Sequence, residues 1–367
     1  MSNVVERSEV FIKTQRINAF QLTMKTIVVF GSVNIDHVFA TPTDIPRPGE
    51  TVGSARYERL PGGKGANQAC AAATVGKALG TGSTTTRFVG AVNASDAWSI
   101  DALRDAGVST EDVERVDGAE TGSAAVIVDG KGENCIVVAP GANARVDPER
   151  VPRCDVLLLQ CEVPLEANLR ACERARALNA EVCVVLNYAP ATEICVELVD
   201  ACDVLVVNET ERDSLVAAFE REGGGRRIFD RCTGVVTRGA AGATLIAPGS
   251  AAAAEFGELR VAALEMESGR VVVDTVGAGD AFVGALVASM ANGDDCVTSM
   301  CLASAAGSLA CTERGARPKI IAEASLRAES VRAKSNASAI NGASHDAVFS
   351  HFSSKTIIDL SRVDAVA

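Results

Sequence analysis

The stretch Asp274–Leu286, DTVGAGDAFVGAL, sets a carboxylate, Asp280, directly after a glycine turn. Glycines admit positive φ and let backbone N–H groups approach a ligand, and a helix start adds partial positive charge that favours phosphate. A carboxylate would repel that anion unless the two share the work. The amides of Gly277, Ala278 and Gly279 can then surround a phosphoryl group while Asp280 takes a proton from an attacking hydroxyl beside it. The structural alternative is an Asp that caps a helix. After Asp280, Phe282, Leu286 and Met290 recur at four-residue spacing, with Val283 and Val287 beside them, so the turn opens a helix with a buried face.

A second glycine-rich stretch, PGGKGAN (Pro61–Asn67), precedes the Ala-rich QACAAATVGKALG. The G-x-x-x-x-G-K-[ST] spacing of a Walker A loop is absent, so a different ligand must account for it. Gly62, Gly63 and Gly65 permit close backbone approach, Lys64 offers three donors, and Asn67 both donates and accepts; together they suit a polyhydroxylated compound. A structural turn with a solvated lysine is the alternative. GSVNID (Gly31–Asp36) puts Asn34 and Asp36 beyond the first strand's carboxyl end, where open α/β sheets bind ligands and a carboxylate can accept two hydroxyls. CEVP (Cys161–Pro164) puts Glu162 at a similar edge. NETE (Asn208–Glu211) adds Asn208 and Glu211, which could face a magnesium-bound phosphate through water. Each of these alone is more often a helix cap or a solvated loop, but all of them fall at strand exits of one sheet.

The elements that must position these residues follow a βαβ rhythm. Short β-branched runs at Ile27–Phe30, Val156–Leu159, Val182–Leu186, Val204–Val207, Val235–Thr237 and Val271–Val273 alternate with helix-period segments such as Glu166–Leu178. That pattern predicts an α/β fold: a doubly wound, mostly parallel sheet flanked by helices. Segments within about residues 38–60 and 123–138 break the rhythm and read as strands of a small β-sheet lid over the site. Residues 1–24 read as an N-terminal extension, residues 25–325 as the α/β domain, and the Ser/Ala/Asn-rich residues 326–367 as a poorly ordered tail.

The 367 residues are 47% hydrophobic, enough for a substantial core, and carry a net charge of −12. An acidic chain argues against nucleic-acid and anionic-membrane partners. No apolar run is long enough to span a bilayer and no secretory signal is evident, so a cytoplasmic protein is expected. Twelve cysteines occur without a C-x-x-C pair and with only three histidines. They read as free thiols rather than a zinc site. The first turn, GSVNID, lacks the G-x-G-x-x-G of a dinucleotide site, which disfavours a dehydrogenase.

GSVNID, RPGET (Arg47–Thr51), PGGKGANQA, GENCIVVAPGAN (Gly132–Asn143), LNYAP (Leu186–Pro190), NETE, VVTRGAAG (Val235–Gly242), DTVGAGDAF and ERGARP (Glu313–Pro318) occur in that order. In this the chain resembles the phosphofructokinase B-type carbohydrate kinase family, and within it the ribokinases, over roughly residues 25–320. The resemblance implies ATP-dependent phosphorylation of the 5-hydroxyl of D-ribose, with Asp280 as base and the Gly277–Gly279 amides as anion hole. It implies a sugar site of Asn34, Asp36, Gly62, Gly63, Lys64, Gly65, Asn67 and Glu162. Asn208, Thr237, Gly239, Gly242, Gly279 and Ser304 would line the nucleotide site, with Glu211 near Mg²⁺. A monovalent cation such as K⁺ would be held by Asp274 and by carbonyls of Val276, Ala310, Glu313 and Gly315, and the lid would form a homodimer interface. Two positions depart from the family pattern: Lys319 stands where a small hydroxyl residue usually completes the cation site, and Ser99 replaces a glycine in GAVNASDAWS (Gly90–Ser99). Another sugar or nucleoside kinase, or a catalytically silent sugar or nucleotide sensor, is the alternative; a sensor has no need of Asp280.

Overall fold

The structure is a computed structural model that describes residues 25–324 apart from 81–83, 132, 192, 194, 223–226, 247, 249–257 and 266–269. The expected N-terminal extension and C-terminal tail lie outside the described residues.

An eight-stranded sheet forms the body, in spatial order β14 (Glu258–Val261), β13 (Ala243–Ile246), β12 (Thr233–Thr237), β11 (Val204–Asn208), β10 (Cys183–Asn187), β9 (Val156–Gln160), β1 (Lys25–Phe30) and β4 (Thr84–Val89). The strands from β12 to β4 run parallel, and β13 and β14 are antiparallel additions at one edge. β1 shows why such strands are apolar throughout. Ile27 and Val29 enter one core while Val28 and Phe30 enter the other, because successive side chains leave opposite faces and helices cover both. One core holds α1 (Lys64–Ala78), α2 (Ala97–Asp105), α6 (Ala278–Asn292) and α7 (Cys296–Ala310); the other holds α3 (Leu165–Leu178), α4 (Val196–Ala201) and α5 (Glu209–Glu222).

A separate four-stranded sheet, ordered β3 (Arg56–Gly62), β2 (Asn34–Ala40), β7 (Gly122–Val128) and β8 (Asn134–Ala139), is the expected lid. It starts earlier than the sequence suggested. Asn34 and Asp36 belong to β2 and not to the loop after β1, and Asn34 is in register with Gly62 on one side and Gly122 on the other. The short strands β5 (Ala91–Asn93) and β6 (Glu114–Val116) pair beside the body.

One expected strand does not form. Val271, Val272 and Val273 lie outside both sheets and are 69%, 61% and 48% exposed. The Val273 amide, with that of Asp274 beside it, donates instead to the Cys311 carbonyl just past α7. β-Branched residues make a strand only where a neighbour is placed to pair with them, and none of the strands in the described sheets pairs with Val271–Val273. The threonine-rich β4, passed over in the sequence, forms because β1 offers it a full parallel ladder. The Ser99 substitution leaves its turn intact, since Asp96 caps α2 by accepting from the Ser99 amide at 3.1 Å.

Candidate active site

β1 lies between β4 and β9, so the chain leaves it in both directions and the strand order reverses there, which is where open α/β sheets place ligands. The side chains that follow these strands are joined across the switch point. Ser32, just beyond β1, donates its hydroxyl to Glu162 Oε2 at 2.6 Å, and Glu162 follows β9. The same oxygen accepts the backbone N–H of Lys64 at 2.9 Å. Glu162 therefore braces the PGGKGAN turn with one oxygen and keeps the other for a ligand.

That turn is tight for a backbone reason. Gly63 has φ of 86°, and a Cβ there would stand 2.7 Å from the Asn34 amide nitrogen and 2.8 Å from the Ser32 carbonyl oxygen. Its closeness starts α1 at Lys64 and points Asn67 and Gln68 at α6. Asn67 Nδ2 donates to Asp280 Oδ2 at 3.1 Å, and Gln68 Nε2 donates to Asp280 Oδ1 at 2.9 Å. Gln68 also donates to Asn187 Oδ1 at the end of β10. Two neutral amides from one helix thus fix both oxygens of a carboxylate on another.

Asp36 has the opposite surroundings. Its carboxylate sits over the Gly62 Cα, where a Cβ would overlap it, and it accepts no protein hydrogen bond among the described residues. Its carboxyl is pushed up to about 6, by burial above all and then by the Glu162 charge, with Asp280 adding to the rise and the Arg317 guanidinium opposing it. Asn34 is buried, and its Oδ1 accepts from Asn143 Nδ2 at 2.8 Å, leaving its own amide donors unpaired with that partner. Lys64 is held protonated by Asp280 above all, then by Glu162 and Glu211, against the cost of burial. Asn34, Asp36, Lys64, Asn67, Glu162 and Asp280 therefore form one cluster at the mouth of the sheet.

At the anion-hole turn, Gly277 adopts φ of 77°. The first helical bond of α6 is Ala281 N–H to Gly277 C=O, so the amides of Gly279 and Asp280 precede the ladder and are open to an anion. Ala278 differs, because its amide already donates to the Thr275 carbonyl at 3.3 Å. Around Gly279 a Cβ would meet nothing within 4 Å.

The expected nucleotide residues form a row at the same end of the sheet. Asn208 and Thr237 are register partners on β11 and β12, Gly239 and Gly242 shape the turn into β13, and Ser304 lies beyond β14. Two of them carry structural duties. Asn208 and Glu211 form a reciprocal cap on α5: each side chain accepts the other's backbone N–H at 2.8 Å. Burial raises the Glu211 carboxyl, with Lys64 opposing and Asp280 adding to the rise. Ser304 donates its hydroxyl to the Ala262 carbonyl at 2.6 Å, which ties α7 to the end of β14 rather than offering a donor to a base.

Neither metal site is a closed cage. Among the described residues no three His, Cys, Asp or Glu side chains are grouped to hold a metal ion. Mg²⁺ can be held through water by one carboxylate and by phosphate oxygens, and Glu211, with one oxygen outside its cap, fits that need. Several of the residues expected around a monovalent cation hydrogen-bond to one another. The Asp274 oxygens accept the Val276 and Gly315 amides at 3.0 Å each, and the Ala310 carbonyl accepts from Glu313. Lys319 is exposed; its backbone N–H, at 2.9 Å from Glu313 Oε2, is the part held there.

Gln68, Ser32, Asn143, Asn187 and Arg317 escaped the sequence reading. Gln68 had a local signal, as one of two adjacent polar residues in an otherwise Ala-rich helix face. Arg317 falls in the ERGARP stretch, but nothing there shows its contact, because its partner Asn67 lies 250 residues away.

A carboxylate fixed by two amides, an open helix start beside it and a second carboxylate with no hydrogen-bond donor among the described residues make an arrangement suited to phosphoryl transfer to a hydroxylated molecule. Residues 24–322 match the model of the pfkB family carbohydrate kinases, and the chain belongs to that family of phosphotransferases. It is 31% identical to the ribokinase of Schizosaccharomyces pombe over 309 residues, covering 81% of this chain and 95% of that one. It is 31% identical to the deoxyribokinase of Salmonella typhi over 276 residues, 70% of this chain and 83% of the relative. Among solved structures, that of Arabidopsis thaliana ribokinase complexed with ribose and ATP superposes with a TM-score of 0.68 at 26% identity, covering 84% of this chain and 99% of that one.

Proposed function

We propose that this protein transfers the γ-phosphate of ATP to the 5-hydroxyl of D-ribose, giving D-ribose 5-phosphate and ADP. The observation that carries this reading is the contrast between Asp280, fixed by Asn67 and Gln68, and Asp36, which has no hydrogen-bond donor among the described residues. Asp36, with Asn34, Lys64, Asn67 and the second oxygen of Glu162, accepts and donates to the ring hydroxyls and places the 5-hydroxyl at Asp280. Asp280 takes the hydroxyl proton as the oxygen attacks the γ-phosphorus and the bond to the β-phosphate breaks, releasing ADP. The amides of Gly279 and Asp280, the Gly277–Ala278 turn and the Lys64 ammonium offset charge on the transferring group. Asn208, Thr237, Gly239, Gly242 and Ser304 border the nucleotide. Mg²⁺, when bound, neutralises phosphate charge, and Glu211 holds it through water. The deoxyribokinase relative supports a second reading, 2-deoxyribose as acceptor.

The lid suggests a homodimer. Every residue of β8 is exposed, and Ile136, Val137 and Val138 are 53%, 67% and 49% exposed on an unpaired sheet edge. A second copy of the lid is the occupant such an edge fits. A cytoplasmic location accords with the acidic composition.

The test is ADP release from MgATP with ribose, 2-deoxyribose, adenosine and ribose lacking its 5-hydroxyl, with and without potassium. Turnover on ribose, none on the 5-deoxy sugar and little gain from potassium are the expected results. Preference for 2-deoxyribose or adenosine would overturn the substrate, a large potassium stimulation would overturn the incomplete cation site, and binding without turnover would favour a sensor.

A further inference from the structure

Three consecutive residues after α7 touch three parts of the site. Gly315 donates its amide to Asp274 Oδ2 at 3.0 Å. Ala316 packs so tightly on the anion-hole turn that a Cβ on Gly277 would stand 2.5 Å from its Cα. Arg317 reaches between the lid and α1, where Nε donates to Asn67 Oδ1 at 2.9 Å and Nη2 to the Gly62 carbonyl at 3.0 Å. Its Nη1 is buried with no hydrogen-bond partner. None of the roles assigned above uses this guanidinium.

The bonds define what it does. A side-chain amide presents either its oxygen or its nitrogen to a neighbour. By taking Oδ1, Arg317 leaves Nδ2 as the end of Asn67 that faces Asp280; the reversed amide would set two oxygens against each other. By holding the Gly62 carbonyl it also fixes the end of β3, over whose Cα the Asp36 carboxylate rests. One planar fork therefore spans base, acceptor carboxylate and lid, a task that suits a guanidinium better than an ammonium.

We propose that Arg317 is a positioning residue for phosphoryl transfer, which locks the Asn67 amide toward Asp280 and clamps the lid strand at Gly62 so that both carboxylates meet the sugar in register. The inference rests on the proposed kinase activity. It also has an electrostatic side. Asp36 faces the charges of Glu162, Asp280 and Arg317, of which only Arg317 favours its ionised form. Loss of the guanidinium therefore moves the acid limb of the pH profile upward.

The experiment compares Arg317→Met, Arg317→Gln and Arg317→Lys with the wild type for kcat, sugar KM and the pH dependence of kcat/KM, on whichever acceptor the wild type turns over. Arg317→Met is expected to lose kcat by about 10²-fold with a smaller rise in KM, as misplacement of reacting groups does. Its acid limb should lie above that of the wild type, and Arg317→Lys should restore the limb but not kcat. Carboxyl-carbon NMR titration of Asp36, assigned through its loss in Asp36→Asn, reads the charge effect without turnover. A wild type inactive on every acceptor would sink the kinase reading and leave that titration to judge Arg317. Folded Arg317→Met and Arg317→Gln with wild-type kcat, KM, acid limb and Asp36 titration would overturn the proposal.

Discussion

Asp280 and Asp36 are two carboxylates in one cluster with unlike surroundings, and their difference assigns their tasks. Asp280 is held by two amides and can point in one direction only, as a base must. Asp36 is desolvated, crowded by the Glu162 and Asp280 charges, and without a hydrogen-bond donor among the described residues. Its folded-state carboxyl, near 6, lies above the ordinary 3.8, so the folded protein binds that proton more tightly than the unfolded chain. The associated stability is present below the ordinary value and is lost as pH rises through about 6. Asp36→Asn is therefore expected to raise thermal stability at pH 7 to 8, by on the order of 1–2 kcal/mol, while abolishing sugar binding. Calorimetric unfolding of both forms at pH 5 and pH 8 checks this; an equal or lower melting temperature for the variant at pH 8 would refute it. The same titration predicts that kcat/KM for the sugar falls as pH drops below about 6.

At the scale of elements, the site is made where turns bring backbones together. Gly277 and Gly279 lie two residues apart and differ in what an added methyl would meet. Gly277→Ala forces a φ of 77° on a residue with a Cβ and drives it into the Ala316 backbone, so a cost of at least 1–3 kcal/mol and loss of activity are expected. Gly279→Ala adds a methyl in open space and should melt within a degree or so of the wild type while impairing transfer. Melting curves and steady-state rates of the pair decide the matter, and a marked fall in the melting temperature of Gly279→Ala would contradict the assignment of that space to the phosphoryl group. Much of this was legible in the sequence, because strand, glycine turn and helix adjoin one another in DTVGAGDAF and PGGKGAN. The division of duties was not. Asn208 and Glu211, read either as a helix cap or as residues facing a metal-bound phosphate, do cap each other, since a capping box and a metal-facing pair share the same three-residue spacing. The valines at 271–273 carry a strand's composition without a strand's neighbour, and Asn34 and Asp36 fall on a lid strand because three residues suffice to leave β1. The partners of Gln68 and Arg317 were hidden by distance: both residues lie in stretches that the sequence singles out, but contacts made across the fold leave no local trace of what each side chain touches.

The whole molecule joins a body, whose two cores lie on either face of one sheet, to a lid whose outer strand is unpaired. Because Asn34 and Asp36 are lid residues, anything that steadies the lid steadies the sugar site. Val137→Glu places a charge on the exposed strand β8, where it disrupts no buried contact of the single chain. It is expected to shift the protein from dimer to monomer in sedimentation velocity and to raise the sugar KM more than it lowers kcat. A wild type that sediments as a monomer would contradict the lid interface.

The proposed phosphoryl transfer depends most on Asp280, and the most direct measurement is the turnover of Asp280→Asn set beside its ribose affinity. Asparagine keeps the size of the side chain and an oxygen for one of the two amide donors, so ribose should bind within a few-fold of the wild type. Turnover should fall by roughly 10²–10⁴-fold, the contribution of a positioned general base. A variant that phosphorylates ribose at nearly the wild-type rate would contradict the assignment of the base and, with it, the reading of the site.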